Sequence, residues 1–255
     1  MFKKSLLISA LAIVAIAFTS CTKEGPEGPA GKDATLKGSI IGYVKLYDEF
    51  GKEITDKSGV NVTIDGASPA VTATTDATGK FTVNNLPTGT YDIIVSKTGY
   101  ATDKSMGFPF VGGVKPIYEN YNLSQISNTV VSELDTLLKE EWGNVRTYLT
   151  YKLTNPNAVN KKVRFRLFMS TDPNVSSTNY ILNTTYGVDK VGNGESSFYV
   201  NYDEFPVGTK IYMVAYGESE NYSTLYDYAT GKHTYITLNA TKSNVISYTR
   251  PADNK

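Results

Sequence analysis

The chain has 255 residues, with 25 basic and 25 acidic side chains, one histidine and one cysteine. That balance offers no basic face to a nucleic acid, and a single cysteine excludes an internal disulfide. The 19 tyrosines and 10 phenylalanines, with Thr, Val and Ile in short runs between Gly, Asn, Asp and Pro clusters, are a β-sheet composition.

The chain opens Met1-Phe2-Lys3-Lys4, and an apolar run from Leu6 to Phe18 follows, broken only by Ser9. As a helix this run spans roughly 20 Å, against a hydrocarbon core of roughly 30 Å, so it predicts a signal peptide rather than a membrane span. It ends Phe18-Thr19-Ser20-Cys21, which resembles the lipobox of bacterial lipoproteins. The resemblance implies removal of residues 1–20, lipid on the Cys21 sulfur, and the membrane as a partner through that lipid. Loss of Lys3 and Lys4 leaves 23 basic and 25 acidic side chains, a balance of −2. Next come three Gly-X-Y triplets, Gly25-Pro26-Glu27, Gly28-Pro29-Ala30 and Gly31-Lys32-Asp33, too few for a triple helix. Residues 21–35 therefore read as the lipidated Cys and a flexible, semi-extended tether reaching up to roughly 40 Å. Lys23-Glu24 is similar to the surface-export signal of Bacteroidetes lipoproteins, although one acid follows the lysine where that signal has two. The expected location is the outer membrane, at the cell surface or on the periplasmic leaflet.

Residues 36–125 alternate. Val60, Val62 and Ile64 share one face of a strand, as do Phe81 and Val83, then Tyr91, Ile93 and Val95. Turn signals at Asp76–Gly79 and Asn84–Gly89 separate them, and strands at such spacing predict a β-sandwich. The pattern Gly42-Tyr-Val44, Gly51, Val60-x-Val62-x-Ile64, Thr75-Asp76-x-x-Gly79-x-Phe81-x-Val83-x-x-Leu86-Pro87-x-Gly89-x-Tyr91-x-Ile93-x-Val95 and Gly99-Tyr100 resembles the carboxypeptidase regulatory-like domain over roughly residues 38–102. The resemblance implies a transthyretin-like (prealbumin-like) sandwich of about seven strands. It also implies an accessory module with no catalytic residues to carry over. Transthyretin-like hydrolases of purine catabolism use several histidines, and residues 36–125 have none. Gly79 is expected to turn the chain before Phe81, Leu86-Pro87 to plug one end, and Gly89 to reverse the chain. Phe108-Pro109-Phe110-Val111 reads as a strand or a packed loop.

Residues 126–255 predict a second sandwich. Val163, Phe165, Leu167 and Met169 should point inward, with Arg164 and Arg166 outward. Further strands are expected at 145–153, 197–202, 211–216, 233–238 and 245–249. The stretch Phe205-Pro206-Val207-Gly208-Thr209-Lys210-Ile211 is similar to the run into strand F of fibronectin type III domains, with Ile211 where the corner Tyr stands. The resemblance implies an immunoglobulin/fibronectin-like sandwich. Residues 131–142 read as a strand ending at Trp142-Gly143, or as a helix lining up Val131, Leu134, Leu138 and Trp142. Trp142 is expected to be a core or edge anchor.

The fold class is thus all-β, two β-sandwich domains in tandem after a cleaved signal peptide and a flexible tether. His233, the only histidine, lies at the start of a predicted strand, and no nucleophile-elbow pattern accompanies it. Zinc lacks ligands. Calcium is not excluded, with Ser170–Asn174 and Asp253-Asn254 as the oxygen-rich stretches. No cofactor and no catalytic residue is expected. Tyr216, Tyr222, Tyr226, Tyr228 and Tyr235 crowd into twenty residues beside Glu220, Asn221 and Asp227. They are candidate ligand-binding residues for a glycan or an envelope protein, or they pair across a hairpin. The expected function is a non-catalytic envelope lipoprotein for binding or structural display, the alternative being glycan capture beside a polysaccharide uptake system. A hydrolase using two carboxylates would require a deep pocket holding them.

Overall fold

A computed structural model of the chain describes residues 36–141, 144–198, 204–227 and 231–250. The signal peptide, Cys21, the tether, Trp142, Tyr228 and all but Ser197 and Phe198 of the strand expected at 197–202 lie outside the described residues. What is described is β-structure throughout, built around two separate cores.

The first core is made by β1 (Lys37–Tyr47), β2 (Asn61–Asp65), β3 (Val71–Thr74), β4 (Lys80–Pro87), β5 (Gly89–Ser96), β6 (Asp103–Phe110) and β7 (Ile117–Ser124). One sheet runs β4-β1-β7 and the other β3-β2-β5-β6. Each pairing is antiparallel except β1 with β7, which is parallel. The faces expected from alternation are the faces buried: Val60, Val62, Ile64, Phe81, Val83, Ile93 and Val95 are all at most 2% exposed. Phe108 and Phe110 lie on β6, and Phe110 enters the core.

Two glycines decide how this core closes. Gly79 has φ +87°, and a Cβ there would sit 2.2 Å from the Val44 carbonyl oxygen. Position 79 therefore demands both a left-handed backbone and an empty side chain. Gly42 pairs with Phe81, and a Cβ at 42 would lie 2.0 Å from the Phe81 ring. The phenyl ring thus lies directly over the bare backbone of β1. Gly89 corrects the sequence reading. Its role is to leave room for the Tyr91 ring, which a Cβ would approach to 2.8 Å. The left-handed residue nearby is Asn85, with φ 56°, inside β4 where its register with β1 shifts. Tyr91 donates its hydroxyl to the Pro87 carbonyl at 3.0 Å and so pins the turn.

The second core is made by β8 (Val130–Glu141), β9 (Asn144–Thr154), β10 (Val163–Ser170), β11 (Leu182–Val188), β12 (Gly192–Ser197), β13 (Lys210–Glu218) and β16 (Ile246–Thr249), in sheets β11-β10-β13-β16 and β12-β9-β8. β14 (Thr224–Asp227) and β15 (Lys232–Tyr235) form a separate hairpin. Residues 130–141 are strand. A helix would have buried Leu138 with Val131 and Leu134, yet Leu138 is 59% exposed and the other two are buried. A bulge between Ser132 and Asp135, with Glu133 at φ 51°, restores the inward phase of Leu134. Phe205 and Ile211 of the fibronectin-like stretch are both fully buried.

Arg166 departs from expectation. Alternation places it on the far face of β10, but that face is not solvated, and Arg166 is 6% exposed. A third cluster covers it: Phe168, Val175, Tyr180, Val214 and Tyr216, with Tyr235 of the hairpin packed against them. β10 is a central strand buried on both sides, so period-2 alternation reports the face and not its accessibility.

The two cores meet at Glu49, in the turn after β1. Its side chain is 4% exposed, and its carboxylate accepts hydrogen bonds from the Asn128 backbone N–H at 2.7 Å and the side-chain amides of Asn128, Asn155 and Asn157 at 3.0, 2.9 and 3.1 Å. The neighbouring Phe50 packs on the second core, under the Lys161 ammonium at 4.0 Å. Leu36–Lys255 is accordingly one compact unit.

Candidate functional site

β10 and β13 are antiparallel neighbours, with like charges two residues apart: Arg164 and Arg166 on β10, Glu218 at the end of β13 and Glu220 just past it. The register sets them diagonally opposite, and both pairs form. Arg166 grips Glu218 with two bonds, Nε–Oε1 at 2.7 Å and Nη2–Oε2 at 3.0 Å. Its Nη1 donates to Asn183 Oδ1 at 2.7 Å, and Thr185 donates to Glu218 Oε2 at 3.0 Å. The pair is buried, at 7% and 0% side-chain exposure, and every one of these bonds is charge-assisted. Arg164 forks onto Glu220 at 2.8 and 3.2 Å nearer the surface, and the bond to Glu220 holds its guanidinium above the usual arginine range.

The candidate tyrosines hang on this ion-pair frame. Tyr235 lies under the Arg166 guanidinium at 4.0 Å and donates its hydroxyl to Asn183 at 2.9 Å. Tyr222 lies on the outer side, its ring 5.3 Å from the Arg166 guanidinium and 5.7 Å from that of Arg164. It is 52% exposed. Tyr226, 46% exposed, meets the His233 ring edge-on at 5.1 Å across the β14–β15 hairpin. Tyr216 is no surface residue: it is buried edge-on against Phe168 at 5.6 Å. Tyr180 donates its hydroxyl to the His233 carbonyl at 3.0 Å, and burial pushes its ionisation up. The structure thus brings Tyr222 and Tyr235 together around Arg166, sets Tyr226 on the hairpin beside His233, and removes Tyr216 to the core. The pairing of Arg166 with Glu218 and of Arg164 with Glu220 escaped sequence reasoning, which placed the arginines only outward and Glu220 only beside the tyrosines. Their signal was the matched spacing of Arg-x-Arg and Glu-x-Glu on adjacent strands.

A cavity of about 460 Å³ opens elsewhere, lined by Glu133, Thr150, Tyr151, Asn193, Gly194 and Glu195. Both of its carboxylates are spoken for: Glu133 pairs with Lys152 at 2.8 Å and Glu195 with Lys139. Its Tyr151 hydroxyl bonds the Ser196 hydroxyl at 2.8 Å. The lining thus offers two ion-paired carboxylates and the Tyr151 hydroxyl. Asp172, in the oxygen-rich loop, spends its carboxylate on the Asn174 backbone N–H and the Asn174 and Asn179 amides. The Asn174 N–H, first among these, holds its carboxyl below the usual range. Asp253-Asn254 lies outside the described residues. Among the described residues no group of three or more His, Cys, Asp or Glu is placed to hold a metal.

Residues 44–116 match the family model of the carboxypeptidase regulatory-like domain. The match runs from within β1 to just before β7, so it takes in most of the first core and none of the second. No curated protein matches the chain. Among solved structures, a candidate carbohydrate-binding protein from Bacteroides uniformis aligns over 84% of this chain and 99% of its own, at 16% identity and TM-score 0.30. A DUF3823 family protein from Bacteroides ovatus aligns over 84% and 98%, at 10% identity and TM-score 0.31. A type II cohesin–X-dockerin complex from Acetivibrio cellulolyticus aligns over 34% and 58%, at 22% identity and TM-score 0.28. Scores this low lend the chain neither a fold nor a function.

Proposed function

We propose that this chain is a non-catalytic envelope lipoprotein that displays Leu36–Lys255 as a binding or structural module. In this reading residues 1–20 are removed, Cys21 carries the lipid in the outer membrane, and residues 22–35 tether the unit. The first half is a carboxypeptidase regulatory-like sandwich, and the second is an immunoglobulin/fibronectin-like one. The observation that carries the non-catalytic part is the pairing of the ionisable groups: the cavity acids are held by lysines, and both β10 arginines by glutamates. Aromatic rings, by contrast, stay at the surface, with Tyr222 and Tyr226 half-exposed. Those rings favour glycan capture as the second reading, because a flat aromatic face beside hydrogen-bonding side chains suits a sugar ring.

The test uses the chain from residue 22 onward, which keeps the whole compact unit, on an array of glycans and isolated envelope proteins, with and without calcium. A reproducible partner without turnover is expected. Hydrolysis of any arrayed glycan would sink the proposal. For the anchor, labelled palmitate should enter the full-length chain and not its Cys21→Ala variant.

A further inference from the structure

The outer face of the sheet β4-β1-β7 carries exposed side chains, of which Asn84 accepts the Ser39 hydroxyl at 3.0 Å. Inward positions of β1 and β7, Val44, Leu46, Tyr121 and Leu123 among them, fill the first core. Period 2 then turns Ile41, Tyr43 and Lys45 of β1, Tyr118, Asn120 and Asn122 of β7, and Lys80, Thr82 and Asn84 of β4 to the other side. The registers order them into rows. Thr82, Ile41 and Tyr118 form one, and Lys80, Tyr43 and Asn120 the next. Lys45 and Asn122 follow. Tyr43 and Tyr118 are diagonal neighbours, one strand and two residues apart, so their Cα atoms are separated by about 8 Å.

Tyr118 is 64% exposed and Tyr43 42%. Among the described residues neither ring meets another ring or a cation, whereas Tyr235 is pinned through its hydroxyl, Tyr216 is core and the half-exposed Tyr222 lies against Arg164 and Arg166. The face is also charged in one sense. Its outward positions carry Lys45 and Lys80 and no carboxylate, and the only acid within these strands, Glu119, takes the opposite face, level with Gly42. Among the described residues neither lysine forms an ion pair, and Lys80 acts on Asp76 only as a neighbouring charge. Asp76, in the turn before Lys80, is engaged by the Thr78 hydroxyl and the Thr78 and Lys80 backbone N–H groups.

We infer that this face binds an acidic polysaccharide. The inference rests on the binding-module proposal above and moves its contact surface from the second sandwich to the first. The two tyrosine rings take the C–H faces of successive sugars. Asn120, Asn122 and Thr82 supply hydrogen bonds to their hydroxyls, and Lys45 and Lys80 meet the carboxylate or sulfate groups. The charge is what singles out an acidic glycan over a neutral one.

The experiment measures binding of the chain from residue 22 onward to polygalacturonate, chondroitin sulfate, neutral dextran and phosphatidylglycerol vesicles. Binding to at least one acidic polysaccharide is expected, at least tenfold tighter than to dextran and weakening with added salt. Tyr43→Ala/Tyr118→Ala should lose at least tenfold. Lys45→Gln/Lys80→Gln should lose affinity and flatten the salt dependence. Met106→Ala, exposed on β6 in the other sheet, should change neither. All the altered side chains are exposed, and an unchanged melting temperature checks that each variant folds. Equal binding to dextran, vesicle binding without polysaccharide binding, or full retention by the tyrosine double variant would overturn the inference. Loss in Tyr222→Ala alone would overturn it too, while leaving glycan capture standing. Failure on both acidic polysaccharides with a protein hit on the array would end it and leave the binding module intact.

Discussion

At the residue scale, the Arg166–Glu218 pair carries the largest expected effect. Arg166→Ala would leave a carboxylate at 0% exposure with the Thr185 hydrogen bond, the space the guanidinium filled, and Arg164 as a more distant charge. Breaking a buried pair by removing one partner costs about 3–5 kcal/mol, while replacing both with apolar residues is often neutral. Urea denaturation should therefore show Arg166→Ala strongly destabilised, and Arg166→Met/Glu218→Leu much closer to the parent. Tyr186 provides a pH test. Its ring stacks on Phe165 at 5.0 Å, and burial, aided by Tyr151 nearby, pushes its pKa up to about 12. An exposed tyrosine ionises near pH 10. The folded value is the higher one, so the stabilisation is complete below about pH 10 and is lost as pH rises through about 12. Tyr186→Phe keeps the stack and removes the titration, so the fall of the urea midpoint between about pH 10 and 12 should be shallower. Neither residue stood out in the sequence: an arginine alternating with apolar neighbours looks solvated, and one tyrosine among 19 looks like any other.

At the element scale, strand faces were legible and their surroundings were not. Val60, Val62 and Ile64 sit on a strand with one buried face, so alternation named the core correctly. β10 shows the same alternation, yet both its faces are covered. What buries the far face is the Tyr180–Tyr235 layer, contributed by residues up to 70 positions away and therefore invisible in a local pattern. The tyrosine cluster divides for the same reason. Tyr216 belongs to the central strand β13 and packs inward, whereas Tyr222 and Tyr226 lie on and beside a two-stranded hairpin with an open side. β11, β12 and β14 went unread because their sequences, such as Gly192-Asn193-Gly194-Glu195, are polar or glycine-rich and owe their extended form to their partners.

At the scale of the whole molecule, Glu49 joins two cores that look separable in the sequence. Glu49→Ala would strand the buried Asn155 amide donor at the junction at a cost of about 1–3 kcal/mol, while the exposed Asn128 and Asn157 turn to water. Calorimetry should record one unfolding transition in the parent and two in the variant, because the second core would lose its anchor on the turn after β1. A single unchanged transition would mean that Phe50 and the chain through Gln125 suffice to couple the cores.

The sequence by itself determined the β class, the inward face of each alternating strand in residues 60–95, and the left-handed turn at Gly79. These depend on local geometry, since the two-residue period and the left-handed backbone are properties of the chain at that point. Only the tertiary structure decided which outward faces meet water, which tyrosine rings stay exposed, and that Glu49 is held by asparagines of the other half. Burial and partnership depend on what arrives from distant segments, and one strand's pattern carries no record of its neighbour across the sheet.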